Sequence, residues 1–102
     1  KQELPEAYLE DEQGERIDIS RKDFVIGKER KKVAFCITGN STVSRRHCKI
    51  QYDGTDFYVM DLGSLNGTLV NGIRLEANVP TRLSDQDWIQ ISDVKFMIHI
   101  NE

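Results

Sequence analysis

The spacing of apolar residues constrains the fold of this chain more than any other feature. They come in short runs with a two-residue period, broken by turn-forming pairs, and no window of a dozen residues repeats apolar side chains every 3.6 positions. Cys48, Ile50 and Tyr52 alternate with polar residues up to Asp53-Gly54, a hairpin signal, after which residues 57–62 read as a returning strand apolar on both faces. Thr68-Leu69-Val70 and Ile73-Arg74-Leu75 surround Asn71-Gly72, a second such signal. Ala7-Tyr8-Leu9 and Ile17-Asp18-Ile19 flank the turn Asp11-Glu12-Gln13-Gly14, Phe24-Val25-Ile26 stops at Gly27, and Val33-Ala34-Phe35-Cys36-Ile37 stops at Thr38-Gly39-Asn40-Ser41. Residues 88–91 and the alternating Val94, Phe96, Ile98 and Ile100 supply two closing strands joined near Ser92-Asp93. This pattern predicts an all-β sandwich or barrel. Its polar runs at 27–32, 38–47 and 63–67 then become loops, and loops at one end of a rigid sandwich commonly carry binding residues.

A chain of 102 residues, 38% of them hydrophobic, fits one globular domain with a single core. The net charge of -3 hides a division. Residues 21–49 hold nine of the 14 Lys and Arg against only Asp23 and Glu29, a local balance of +7 that leaves -10 for the remainder. A basic segment in an acidic chain suits a focused anionic ligand, because the acidic remainder repels the long polyanion of nucleic acid. No apolar run approaches the roughly 20 residues that span a bilayer, and the acidic start of the chain is unlike a signal peptide. The expectation is a cytoplasmic protein, or a cytoplasmic piece of a longer one, without direct membrane insertion, and monomeric. Cys36 and Cys48 are too few for a disulfide scaffold and sit in apolar runs, as small buried hydrophobes do. A metal site of Cys36, His47 and Cys48 lacks a fourth ligand and matches no familiar zinc spacing, so no metal is expected.

The chemistry concentrates in Val43-Ser44-Arg45-Arg46-His47, followed by Ser64-Leu65-Asn66-Gly67-Thr68 and Asn71-Gly72. Together these set a hydroxyl, guanidiniums, an imidazole and a side-chain amide on turns between strands, the groups needed to grip a phosphate and the peptide that carries it. Ser44 offers a small hydroxyl that can donate to a phosphate oxygen, Arg45 a charged fork, and Asn66 an amide that both donates and accepts along an extended backbone. A histidine three residues after a serine invites a catalytic reading, but nucleophilic catalysis also needs an oriented acid and an oxyanion site, and no nucleophile elbow is present.

The order Gly27-Lys28, then 43–50, then Asp61-Leu62-Gly63-Ser64-Leu65-Asn66-Gly67-Thr68-Leu69-Val70-Asn71-Gly72, resembles the forkhead-associated (FHA) domain from about residue 24 to 100. The resemblance implies a β-sandwich of about eleven strands whose apical loops bind phosphothreonine peptides without metal or cofactor. It implies phosphopeptide-binding roles for Lys28, Ser44, Arg45 and Asn66, with Thr42, Arg46 and Leu65 as further candidate peptide contacts. Gly27, His47, Gly67, Thr68, Asn71 and Gly72 are expected to brace the loops. Two positions depart from the family. Lys28 stands where arginine is usual, keeping the charge but losing the bidentate fork, and Leu65 stands where some relatives carry a polar residue that helps hold the phosphate. The partner implied is a phosphothreonine-containing protein, a Ser/Thr-kinase substrate. The competing reading is a phosphate-independent interaction module that uses a sandwich face within a larger complex. His99 is expected on the outer face of the last strand and Trp88 in the core.

Overall fold

The two-residue alternation becomes eleven strands in a computed structural model, which describes residues 4–101. One sheet runs in the order β2-β1-β11-β10-β7-β8 and the other β4-β3-β5-β6-β9. The first comprises β1 (Ala7–Asp11), β2 (Arg16–Asp18), β7 (Thr68–Val70), β8 (Ile73–Arg74), β10 (Trp88–Ile91) and β11 (Val94–Ile100). The second comprises β3 (Asp23–Gly27), β4 (Phe35–Cys36), β5 (Cys48–Tyr52), β6 (Phe57–Asp61) and β9 (Thr81–Arg82). Every pairing is antiparallel except β3 with β4, which makes the second sheet mixed.

The longer strands bury one side of their alternation between the sheets, whereas β2, β4, β8 and β9 bury no residue. Leu9, Phe24, Ile26, Ile50, Ile89 and Ile98 are among the fully or almost fully buried side chains of one continuous core. Burying such a side chain stabilises by roughly 1.5–3 kcal/mol, so this facing set drives the sandwich together. The turns obey local chemistry. Asn71 and Gly72 both hold positive φ, 51° and 83°, as a two-residue hairpin of the favoured hand requires. Asp53 Oδ1 accepts the Thr55 and Asp56 N–H groups at 2.8 Å and closes the β5–β6 turn; those bonds, Asp56 first, hold its carboxyl below the ordinary range.

Three expectations change, and one strand appears that the sequence pattern does not predict. The run 33–37 pairs as a strand only at Phe35–Cys36, because the chain first makes a 3-10 turn at Arg30–Lys32 and reaches β3 as a parallel edge. Residues 57–62 are not apolar on both faces: Phe57, Val59 and Asp61 are buried while Tyr58 and Met60 are half-buried. Trp88 is not core. Ile89 and Ile91 take the inward positions of β10, so Trp88 projects outward opposite Met97 and is 45% exposed. Finally, β9 has only two residues and no apolar alternation; it exists through its pairing with β6, supported by an Arg82–Asp56 ion pair at 3.2 Å. His99 does lie on the outer face, stacked on Tyr8 at 4.6 Å and bonded to Glu10 at 2.8 Å. Among the described residues no helix is long and apolar enough to cross a membrane.

Candidate functional site

Three connections meet at one end of the sandwich: β3 to β4, β4 to β5, and β6 to β7, with the β10–β11 turn behind them. The first two are laid side by side by the backbone. The Lys28 N–H donates to the Ser44 carbonyl and the Glu29 N–H to the Arg45 carbonyl, both at 3.1 Å, while the His47 N–H donates to the Ile26 carbonyl at 2.8 Å. These bonds extend the β3–β5 ladder past Ile26↔Cys48, so residues 44–47 inherit their position from a strand. The approach is close enough that Gly27 has no room for a side chain: a Cβ there would stand 2.0 Å from the Arg45 carbonyl oxygen.

His47 is fully buried and bridges the second and third connections. Its Nδ1 accepts the Ser44 N–H at 3.1 Å, which leaves the proton on Nε2 to donate to the Gly67 carbonyl at 2.8 Å. Both ring nitrogens are therefore engaged in holding loops. Ser44 is half-buried, and its Oγ accepts the Leu65 N–H at 3.2 Å. A hydroxyl oxygen that accepts from one side keeps its own proton for another acceptor. Asn66 is exposed; its Nδ2 donates to the Thr42 carbonyl at 2.8 Å, which ties the third connection to the second and leaves Oδ1 without a partner among the described residues.

Four side chains that sequence reasoning gave no role, Asp61, Ser64, Asn40 and Ser92, organise this end. Asp61 is buried, and its carboxylate accepts the Gly63 and Ser64 N–H groups at 3.0 Å, the Ser64 hydroxyl at 2.5 Å and the Thr68 hydroxyl at 2.7 Å. Burial is the largest single influence and would raise its pKa, but the bonds from Ser64, Thr68 and Gly63 together outweigh it and hold the carboxyl below the ordinary value. Ser64 relays the hold, accepting the Gly67 N–H at 2.9 Å. Asn40 Oδ1 accepts the Thr42 N–H and hydroxyl at 3.0 and 2.6 Å, and Asn40 Nδ2 donates to Asp93 at 2.8 Å. The signals were present as Asp-x-Gly-Ser and Asn-x-Thr, spacings at which a short polar side chain caps its own turn. Ser92, in the β10–β11 turn at φ 56°, is held there by bonds from its N–H to Gly67 and from its hydroxyl to Thr42.

The residues singled out from sequence sort by position. Lys28, Ser44, Arg45 and Asn66 come together at this end, with Lys28, Arg45 and Asn66 exposed. Arg46 is exposed beside them and Leu65 is 84% exposed. Thr42 belongs to the bracing: its hydroxyl donates to Asn40 and accepts from Ser92. Gly27, His47, Gly67 and Thr68 brace the same loops. Gly67 sits at φ 87°, where the Arg74 guanidinium occupies the space a Cβ would need. Asn71 and Gly72 brace elsewhere, because Asn71 lies past the other end of β7 and bonds Asp87 and the Trp88 N–H at 3.0 and 2.9 Å. Cys48 is fully buried, and burial pushes its thiol up to about 12, which keeps it a neutral core side chain. Cys36 is half-buried and its thiol lies 3.5 Å from the Lys28 carbonyl.

A family model described as FHA domain matches residues 24–92, which contain all three connections. Among curated proteins the chain is 41% identical over 56 residues to the glycogen accumulation regulator GarA of Mycolicibacterium smegmatis, covering 55% of this chain and 34% of that protein. It is 33% identical over 63 residues to a probable E3 ubiquitin-protein ligase, dma1, of Schizosaccharomyces pombe, covering 58% of this chain and 24% of that protein. The chain thus spans about a third or less of the length of these relatives. Among solved structures, Mycobacterium tuberculosis EmbR in complex with a low-affinity phosphopeptide superposes at a TM-score of 0.88 with 29% identity, covering 97% of this chain and 25% of that one. The MEK1 FHA domain in complex with the HOP1 pThr318 peptide superposes at 0.81 with 28% identity, covering 97% and 100%. With that match over more than half its length and the same sandwich, the chain belongs to the FHA domain family.

Proposed function

We propose that this domain binds phosphothreonine-containing protein segments, holding the phosphate at the Ser44 hydroxyl between the Lys28 and Arg45 side chains and the peptide backbone at Asn66. The observation that carries the reading is the Ser44 hydroxyl. It accepts from Leu65 N–H, keeps a proton to donate, and lies where two bonds join the loops bearing two exposed cations. A phosphate brings roughly -1.5 to -2 charge and three acceptor oxygens, whereas an unmodified threonine would leave those cations and that donor unmatched. The preference for phosphothreonine is carried over from relatives such as the MEK1 FHA domain, which is seen with a pThr peptide.

The site is read as a binder rather than a catalyst. Ser44 meets His47 through its backbone N–H, so the hydroxyl-to-ring bond that activates a nucleophile is not made. The competing module, one that docks partners on a sheet face without phosphate, has one observation in its favour: Trp88 stands exposed beside Met97 on the outside of the six-stranded sheet. Calorimetric titration with degenerate phosphothreonine, phosphoserine and unphosphorylated peptide libraries separates the two. Binding confined to phosphothreonine and removed by Ser44→Ala supports the phosphate reader. Absence of heat with every pool at high protein concentration favours the sheet-face module.

A further inference from the structure

The end that carries Ser44 holds more positive charge than one phosphate can match. Lys28, Arg30, Lys31, Lys32, Arg45 and Arg46 are all exposed there, and Glu29 is the one acid interspersed with them in these two segments. Their placement together is fixed by the backbone bonds from 28 to 44 and from 29 to 45, and Lys28 and Arg30 line one open cleft with Asn40 and Ser41. Elsewhere the chain pairs its cations. Arg16 bonds Glu6 and Asp18 at 2.9 and 2.8 Å, Lys49 lies 3.5 Å from Asp23, and Arg82 lies 3.2 Å from Asp56. None of the six cations has an ion-pair partner among the described residues.

Six cations less Glu29 and the exposed Asp93, which bonds Asn40 at this end, leave +4, against at most about -2 on a phosphothreonine, so about two positive charges stay unmatched after the phosphate is seated. Lys28 and Arg45 lie in the segments bonded to or next to Ser44, and the 3-10 turn Arg30–Lys32 that follows presents three consecutive cations to solvent. An extended peptide advances about 3.3 Å per residue, so four residues carry it roughly 13 Å along the surface, and the turn follows directly on the 28–29 segment bonded to residues 44 and 45. Charges left unmatched at a docking surface select a partner of opposite sign.

We infer that the segment this domain reads is acidic or carries a second phosphate within about four residues of its phosphothreonine, and that Arg30, Lys31 and Lys32 make that selection. The inference rests on the phosphopeptide reading above. It adds a preference that Lys28, Ser44, Arg45 and Asn66 do not set.

Fluorescence anisotropy tests it with four labelled peptides on one scaffold: a phosphothreonine with neutral flanks, one with three flanking Glu, one with a second phosphothreonine, and the unphosphorylated Glu peptide. Each is titrated at low and high salt into the wild type and into the triple variant Arg30→Gln, Lys31→Gln, Lys32→Gln, whose side chains make no bond to the rest of the fold among those described. The expected result is about tenfold tighter binding of the acidic or doubly phosphorylated peptides at low salt. That gain disappears in the triple variant and in high salt, while at a given salt concentration the neutral-flanked phosphopeptide binds the triple variant within about twofold of the wild type. Equal affinity for neutral and acidic flanks in the wild type overturns the inference and leaves the phosphopeptide reading standing. Binding of the unphosphorylated Glu peptide as tightly as its phosphorylated counterpart overturns it as well, since the patch would then be a plain anion attractor. Failure of all phosphothreonine peptides to bind removes both readings together.

Discussion

Replacing Gly27 with alanine tests the claim that the binding loops are positioned by backbone packing against β3. Gly27 is buried and its φ is not in the left-handed region, so alanine meets no intrinsic strain there. The obstacle is the 2.0 Å gap between the added Cβ and the Arg45 carbonyl oxygen, with the Arg45 carbonyl carbon at 2.6 Å and the Arg46 Cα at 3.0 Å. These are backbone atoms and cannot rotate aside. To reach an ordinary 3.4 Å contact the 44–46 segment must retreat by about 1.4 Å, which stretches the Lys28–Ser44 and Glu29–Arg45 bonds from 3.1 Å to beyond bonding range. Two backbone bonds at about 1 kcal/mol each and an overpacking term of about 1–3 kcal/mol act against a gain of about 0.4–1 kcal/mol from the stiffer unfolded chain. The expected net loss is about 2–4 kcal/mol.

Urea denaturation of Gly27→Ala beside Gly39→Ala isolates the cause. Gly39 has φ 71° and nothing within 4 Å of its would-be Cβ, so alanine there costs only the left-handed backbone, about 1 kcal/mol. On backbone conformation alone Gly39→Ala would be the worse change; on packing, Gly27→Ala is worse by at least about 1 kcal/mol. A Gly27→Ala protein as stable as Gly39→Ala, with the amide resonances of 44–47 unmoved, would refute the packing argument.

Lys28→Arg restores a planar fork beside Ser44 and is expected to tighten phosphothreonine-peptide binding about three- to tenfold by calorimetry, and Lys28→Gln to weaken it; unchanged affinity in both would remove Lys28 from the phosphate contacts. His47→Ala leaves the Ser44 N–H and Gly67 carbonyl unpaired in a buried cavity and should cost about 3–5 kcal/mol in chemical denaturation, more than any exposed cation in 28–46. Because Asp61 titrates below the ordinary carboxylate value when folded, its contribution is fully present above about pH 4, the unfolded value, and is lost as pH falls through the lower folded one. Stability measured from neutral to acid pH should therefore drop on the acid side, and Thr68→Val, which removes one donor to that carboxylate, should cost about 1.5–3 kcal/mol at neutral pH and flatten the drop. Trp88→Ala should cost under about 1 kcal/mol, since the ring is half in solvent; a loss of 3 kcal/mol or more would return it to the core.

The sequence exposes features whose cause is local and hides those whose cause lies across the fold. The Asn71-Gly72 turn is legible because both residues hold positive φ by their own chemistry, and β5, β10 and β11 because their period is written in consecutive side chains. The strand β9 is illegible because two polar residues become a strand only when β6 lies alongside, and Trp88 misleads because its size argues for burial while its register beside Ile89 and Ile91 turns it outward. The same division runs through the site. Ser44, Arg45 and Asn66 can be picked out by order and type, yet what holds them is a set of long-range bonds: His47 to Gly67, Leu65 to Ser44, Asn66 to Thr42. Asp61 shows the cost of overlooking short polar residues. Passed over within 57–62, a run read as an apolar strand, it is the buried anion on which 63–68 folds back, and it stays ionised because it accepts all four of its hydrogen bonds. A loop end built this way spreads its charges by sign: the carboxylate is inside and satisfied, and the cations of 28–32 and 45–46 are outside and unpaired. The internal anion cannot neutralise the external cations without breaking the bonds that shape the loop, so those cations stay open to water, to salt ions or to an anionic ligand.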